Sequence, residues 1–147
     1  MSQGLQYFPE NLPRHVKVLF GQAILMVAGA DGSLALEERE YFYREAKVHG
    51  VEEDIIREWQ EFDWSKSDLQ STVQALQPAL SEKLKSLLVY CAIRISLADS
   101  SYPLSEQDAV RKAAELLDID DKAVVELEIL ASMDKNVADL KQLNFAS

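Results

Sequence analysis

The sequence predicts an all-α fold: a single-domain helical bundle of about seven to eight helices, built from two pseudo-symmetric helical repeats. Residues 16–58 align without a gap with residues 84–126, which lie 68 positions later. Both segments open with an apolar stretch, and no stretch of useful length alternates apolar with polar residues as a strand would. Because one such copy cannot bury its apolar face alone, we expect the two copies to pack against each other.

The aligned pairs share residue type at many positions. The matches include Leu19 with Leu87, Ala30 with Ala98, Asp31 with Asp99, Ser33 with Ser101, Leu36 with Leu104, and Glu38 with Glu106. We therefore treat residues 1–147 as one domain. Its predicted parts are repeat one (about 12–60), a bridge (about 61–80), repeat two (about 81–130) and a C-terminal tail (131–147).

The first predicted helix begins near Asn11, which is a suitable N-cap, and has Pro13 in its first turn. It runs to about Ala30, and Gly32 can supply the left-handed residue that ends it. A second helix is predicted over 36–49.

This second helix should stop at Gly50. A third helix is predicted over 52–62, with Ile55, Ile56 and Trp59 on one apolar face. In the bridge, Ser67 or Asp68 is expected to cap a short helix ending near Pro78.

The second copy repeats this order. A long helix is predicted over 81–98, and Ser105 with Asp108 resembles a capping box at the start of the next helix, which runs to about Leu117. Asp120 or Asp121 is expected to cap another helix. A last, separate short helix is predicted over about 136–143.

Composition restricts the possible partners. The chain of 147 residues has 25 acidic against 15 basic residues and a net charge of −10, so it should repel nucleic acid. Cations or basic protein surfaces are better candidates. The single cysteine, Cys91, fits a reducing compartment, and we find no secretory signal. The apolar stretches 16–30 and 84–98 are too short to span a bilayer, so a cytoplasmic location is predicted.

The two acidic turns carry the candidate chemistry. Asp31 precedes Glu38 by seven residues, and Asp99 precedes Glu106 by the same spacing. Hard cations prefer oxygen ligands, and carboxylates from both sides of a turn can bind one ion. The sequence therefore predicts a site of four carboxylates for a divalent cation, with Ca²⁺ or Mg²⁺ favoured over Zn²⁺.

A structural interpretation stands beside this one. Acidic residues in the first turn of a helix cap free N–H groups and favour the helix dipole, so Glu38 and Glu106 could serve that purpose alone. Asp31 and Asp99 could be ordinary turn residues. An EF-hand is excluded, because a loop starting at Asp31 has non-ligand residues where that motif needs oxygen ligands, glycine and glutamate.

The segment Ala30-Asp31-Gly32 is followed by Glu38, and the second copy has Ala98-Asp99 followed by Glu106. This repeated motif resembles the TerB-like family, the tellurite-resistance protein B group. The resemblance implies an all-α bundle with an acidic metal-binding surface and a role in bacterial stress response or in larger assemblies. The family's acidic residues would fall on Asp31, Glu38, Asp99 and Glu106. Ser100 replaces the glycine in the second copy, so we expect the first half to bind better.

No enzyme is predicted, because the sequence has no nucleophile with a base at a recognised spacing and no phosphate loop. His49 lies four residues after Glu45, which is best explained as an i, i+4 pair on a helix. Cys91 lies on an apolar stripe, which favours burial. The predicted function is cation binding. The alternative is an acidic interaction module, without metal, whose partner is a basic protein surface or a membrane-associated complex.

Overall fold

The computed structural model describes residues 12–30, 34–99 and 101–146. Within these ranges the chain forms seven α-helices and no strand. The helices are Arg14–Ala28 (α1), Leu36–Val48 (α2), Glu53–Glu61 (α3), Leu69–Leu76 (α4), Glu82–Ser96 (α5), Leu104–Leu116 (α6) and Asp121–Phe145 (α7). Short 3₁₀ turns occupy Trp64–Lys66, Gln77–Ala79 and Leu97–Asp99. The predicted all-α fold of about seven to eight helices is confirmed.

The helix bounds recur with the spacing of the sequence repeat. Helix α1 covers 14–28 and α5 covers 82–96, so an offset of 68 residues relates both ends. The same offset relates α2 (36–48) to α6 (104–116) and the first residue of α3 to that of α7. The two halves thus share helix positions, while a pseudo-twofold relation between them in space remains a prediction.

Helices α1 and α5 form the centre of the bundle and pack against each other. Most of their residues are buried, including Phe20 and Ile24 on α1 and Leu88 and Ile93 on α5. Helices α3, α4 and α6 pack around α1, and α2, α6 and α7 pack around α5. This arrangement explains why both stretches are apolar on several faces, as expected for central helices rather than surface helices.

Gly21 is required where α3 crosses α1. The indole of Trp59 is fully buried, and its Nε1–H donates a 3.0 Å hydrogen bond to the Val18 carbonyl oxygen. The same ring stacks on Phe42 of α2, with 4.9 Å between ring centroids. A Cβ on residue 21 would overlap the indole, so only glycine allows this close approach.

Several predicted helix ends are confirmed. Gly50 has a φ of +87° and follows α2, as expected of a residue in the left-handed region. The side chain of Asp68 caps α4 by accepting the Gln70 N–H, and that of Asp120 caps α7 by accepting the Ala123 N–H.

Three boundaries differ from the sequence prediction. Helix α1 begins at Arg14 with Pro13 at its N-cap, and it ends at Ala28; the predicted cap Asn11 and the predicted terminator Gly32 lie outside the described residues. Helix α5 ends at Ser96, and a 3₁₀ turn replaces its last predicted residues.

The predicted capping box of α6 is wrong. The N-cap is Pro103, so Ser105 is already the second helical residue, and the acidic residue three positions after the N-cap is Glu106 rather than Asp108. Proline fixes the backbone at the entry to a helix, and the helix therefore starts directly after it.

The predicted break in the C-terminal region is also wrong, because α7 is one helix of 25 residues. Residues 121–145 contain no proline, which would remove a backbone hydrogen bond, and no glycine, which would weaken the helix. Helix α7 is held against α6 by Glu128, whose two carboxylate oxygens accept 2.7 and 2.9 Å hydrogen bonds from Arg111. These bonds hold the pKa of Glu128 below its usual value.

None of the helices in the described ranges is both long enough and apolar enough to cross a membrane.

Candidate metal site

The two glutamates of the predicted site occupy equivalent, buried positions. Glu38 is the third residue of α2, and Glu106 is the third residue of α6. Their exposed fractions are 3% and 4%. Surface glutamates in the first turn of a helix are ordinarily solvated, whereas a buried carboxylate needs compensating partners. Burial at both positions sets these two apart from the exposed acids of the chain.

Glu38 makes the bond that the capping interpretation predicts. Its Oε1 accepts a 2.8 Å hydrogen bond from the backbone N–H of Ala35, the N-cap residue. Alanine has no side-chain oxygen, so the reciprocal half of a capping box is absent. Glu38 therefore satisfies one free donor at the start of α2.

Glu106 cannot make the same bond. The corresponding N-cap residue is Pro103, which has no N–H to donate. The side chain of Glu106 is nevertheless as buried as that of Glu38. A bond to the N–H of the N-cap residue is thus made by Glu38 and not by Glu106.

The end of the first helix of repeat two packs on the second helix of repeat one. The 3₁₀ turn Leu97–Asp99 lies against α2, and α5 also contacts α2. The Cζ atom of Arg94, near the end of α5, lies 4.6 Å from the centroid of the Tyr41 ring. Tyr41 follows Glu38 by three residues, which is about one helical turn. The turn that ends at Asp99 is therefore next to the first two turns of α2.

The end of the first helix of repeat one meets the second helix of repeat two in the equivalent place. Met26 and Ala109, which match Arg94 and Tyr41 at the 68-residue offset, line one cavity of about 360 Å³ together with Ala30. Helix α1 also packs against α6. The chain therefore leaves α1 beside the helix that carries Glu106. Each acidic turn starts next to the other repeat's second helix.

The set of four carboxylates is not complete in the described residues. Asp31 lies outside them, as does the side chain of Asp99. In the part of the chain that is described, no three His, Cys, Asp or Glu residues are grouped closely enough to hold a metal ion. A cation site at these turns stays a prediction that depends on Asp31 and Asp99.

Arg94 is the residue at this contact that the sequence did not point to. It is only 6% exposed and stacks on Tyr41 as a cation–π pair. Burial raises the pKa of the Tyr41 hydroxyl above its usual value, so this hydroxyl stays protonated. The available signal in the sequence was one arginine among the apolar residues 87–95, where a buried charge needs a specific partner.

The contacts of His49, Cys91 and Trp59 indicate structural roles. His49 Nε2 lies 3.9 Å from Glu45 Oε1 on α2, which is the expected i, i+4 pair. Cys91 is buried, and burial raises the pKa of its thiol, so the thiolate needed for reactivity is disfavoured. Trp59 belongs to the core.

Comparison with known proteins agrees with this architecture. The family model described as tellurite resistance protein TerB matches residues 21–129. No curated protein matches the sequence significantly. A crystal structure of a tellurite resistance protein from Nostoc punctiforme has a similar fold, with a TM-score of 0.76 at 20% sequence identity; the match covers 97% of this chain and 89% of that one. The family match spans most of the sequence, and the chain belongs to the TerB family.

Proposed function

We propose that this TerB-family chain is a non-enzymatic protein of the tellurite-resistance and stress-response type that binds a divalent cation. Asp31, Glu38, Asp99 and Glu106 would hold the ion, with Ca²⁺ or Mg²⁺ preferred over Zn²⁺. The supporting observation is that each acidic turn starts beside the other repeat's second helix, where a glutamate is buried.

Burial of the two glutamates supports the proposal energetically. An ionised carboxylate out of water costs several kcal/mol unless donors or a cation compensate it. Oε1 of Glu38 accepts the backbone N–H of Ala35. Hard divalent cations such as Ca²⁺ and Mg²⁺ prefer oxygen ligands, and carboxylates supply them. Zinc sites are built mainly from cysteine sulfur and histidine nitrogen, so a set of carboxylates favours Ca²⁺ or Mg²⁺ over Zn²⁺.

Calorimetric titration of the purified chain tests the proposal. Ca²⁺, Mg²⁺ and Zn²⁺ should each be added to metal-free protein at physiological salt, where exposed acids bind ions only weakly. We expect saturable heat with Ca²⁺ or Mg²⁺ at a defined stoichiometry. Absence of saturable heat with all three ions would contradict the proposal.

Replacement Glu38→Gln distinguishes a ligand from a cap. The glutamine carbonyl can still accept the Ala35 N–H, so the free energy of unfolding of the metal-free protein should change by less than about 1 kcal/mol. Loss of a charged ligand should lower the affinity for the cation about 10-fold, which is about 1.4 kcal/mol. Calorimetric titration and urea unfolding of the same sample measure both quantities. Unchanged affinity would assign Glu38 to capping alone.

The second candidate function is an acidic interaction module that needs no metal. The net charge of −10 favours it, since such a surface attracts basic partners. A fluorescent oligolysine peptide, titrated into metal-free protein at increasing salt, provides the test. Saturable binding that weakens with salt, together with no heat from divalent cations, would favour the module over the cation site.

A further inference from the structure

Helix α7 is apolar on two opposite faces, and only one of them is covered. Val124 and Ala131 are buried against the bundle. On the other side, each large apolar residue has another one three or four positions away, which places them on one helical face. We call this face the α7 stripe; its members are Val125, Ile129, Leu130, Met133, Val137, Leu140 and Leu143.

The α7 stripe is large for a surface that faces water. Its members are 45% to 79% exposed. At roughly 100 Å² of exposed apolar surface for each of the seven side chains, the stripe presents on the order of 700 Å². The largest apolar patch of an ordinary monomer is about 300–600 Å². The stripe therefore has the size of an interaction surface.

The end of α7 has no support from the bundle. Every residue from 136 to 146 is exposed, although 136–145 is helical. A helical segment of this length on its own is marginal in water, and most helical stability in proteins comes from packing. Contact with a partner along the stripe would supply that packing.

Charge indicates what kind of partner fits. Residues 136–146 contain one acid, Asp139, and one base, Lys141, while the chain as a whole carries −10. This segment therefore has no net charge, so its charges do not oppose the approach of a second copy. With Lys141 as its one basic residue, it also differs from helices bound to anionic lipid, whose polar face is rich in lysine and arginine.

We propose that the α7 stripe is the interface of a homodimer, in which the α7 helices of two copies pair about a twofold axis. A self-complementary patch is what a twofold interface requires. Two stripes buried together would remove on the order of 1,400 Å² from water, within the range of about 1,200–2,000 Å² found in stable interfaces. The spacing of three and four residues along the stripe is that of paired helices.

Sedimentation velocity on the full chain tests the dimer. The wild-type protein should sediment, at high micromolar concentration, with twice its chain mass of 16.6 kDa. The variant Val137→Lys/Leu140→Lys should sediment with half the wild-type mass. Its helical circular dichroism should also fall, because the last turns of α7 lose their packing, while its core unfolding transition is retained.

The matched control is Val48→Lys/Leu104→Lys, which makes the same two changes at apolar positions that are 69% exposed and outside α7. It should sediment like the wild type. A monomeric wild type, or loss of the dimer in both variants, would overturn the proposal. A monomeric wild type that co-sediments with phosphatidylcholine vesicles would also overturn it, in favour of a lipid surface.

Discussion

Replacement of Gly21 by alanine is expected to destabilise the protein by about 3 kcal/mol, the upper end of the usual cost of overpacking a core. The added methyl group would overlap the Trp59 indole. This ring cannot move away cheaply, because it is fully buried, donates a hydrogen bond to Val18 and stacks on Phe42. Relief of the overlap must therefore break one of these contacts or separate α1 from α3.

Urea unfolding, followed by tryptophan fluorescence, measures this effect. Gly29→Ala is the control, since its Cβ would meet Trp64, which is half-buried and follows α3 in a short 3₁₀ turn. A smaller cost, about 1 kcal/mol, is expected there because the side chain can shift.

A double-mutant cycle assigns the cost to the proposed contact. In a Trp59→Phe background, Gly21→Ala should destabilise by clearly less than in the wild type, because phenylalanine lacks the second ring. Equal costs in the two backgrounds would show that the indole is not the source.

Replacement of both Asp31 and Asp99 by asparagine is expected to weaken cation binding at least about 100-fold, since two of the four charged ligands are lost and affinity follows ligand charge. Asparagine keeps the size and turn preference of aspartate. The metal-free protein should therefore unfold with nearly unchanged free energy. Calorimetric titration with Ca²⁺ gives the affinity. Thermal unfolding with and without the ion gives an independent estimate, because a ligand that binds only the native state stabilises it.

The matched control is Asp118→Asn/Asp121→Asn, which removes the same charge at two exposed positions. It should bind Ca²⁺ like the wild type. If both double variants weaken binding equally, the ion is attracted by the overall charge of −10 rather than held by the two turns.

Most of the helical architecture could be predicted from the sequence, because it depends on local signals. The apolar stretches of α1 and α5 have helical length, and Gly50, Asp68 and Asp120 mark helix ends through their own backbone or side-chain preferences.

The start of α6 was harder to predict, since Pro103 with Glu106 and Ser105 with Asp108 have the same spacing. The continuity of α7 was missed, although residues 121–145 contain neither proline nor glycine, the two residue types that disfavour a helix interior most strongly.

The candidate site could be predicted only in part. The spacing in sequence placed Glu38 and Glu106 correctly in the first turns of two equivalent helices. Their burial and the contact between Arg94 and Tyr41 depend on how α5 packs against α2, which is a tertiary arrangement that local patterns do not encode. The absence of an N–H at Pro103 likewise became informative only once the N-cap of α6 was known.

The central claim is that the two acidic turns and the two buried glutamates together bind a divalent cation. Paramagnetic broadening by Mn²⁺ tests this claim most directly. Mn²⁺ prefers the same oxygen ligands as Ca²⁺ and Mg²⁺, and it broadens the NMR signals of nearby amides. At substoichiometric Mn²⁺, the amides around Asp31, Glu38, Asp99 and Glu106 should broaden first, and excess Ca²⁺ or Mg²⁺ should restore them. Broadening spread evenly over exposed acids such as Asp121, or its absence at the four positions, would contradict the account.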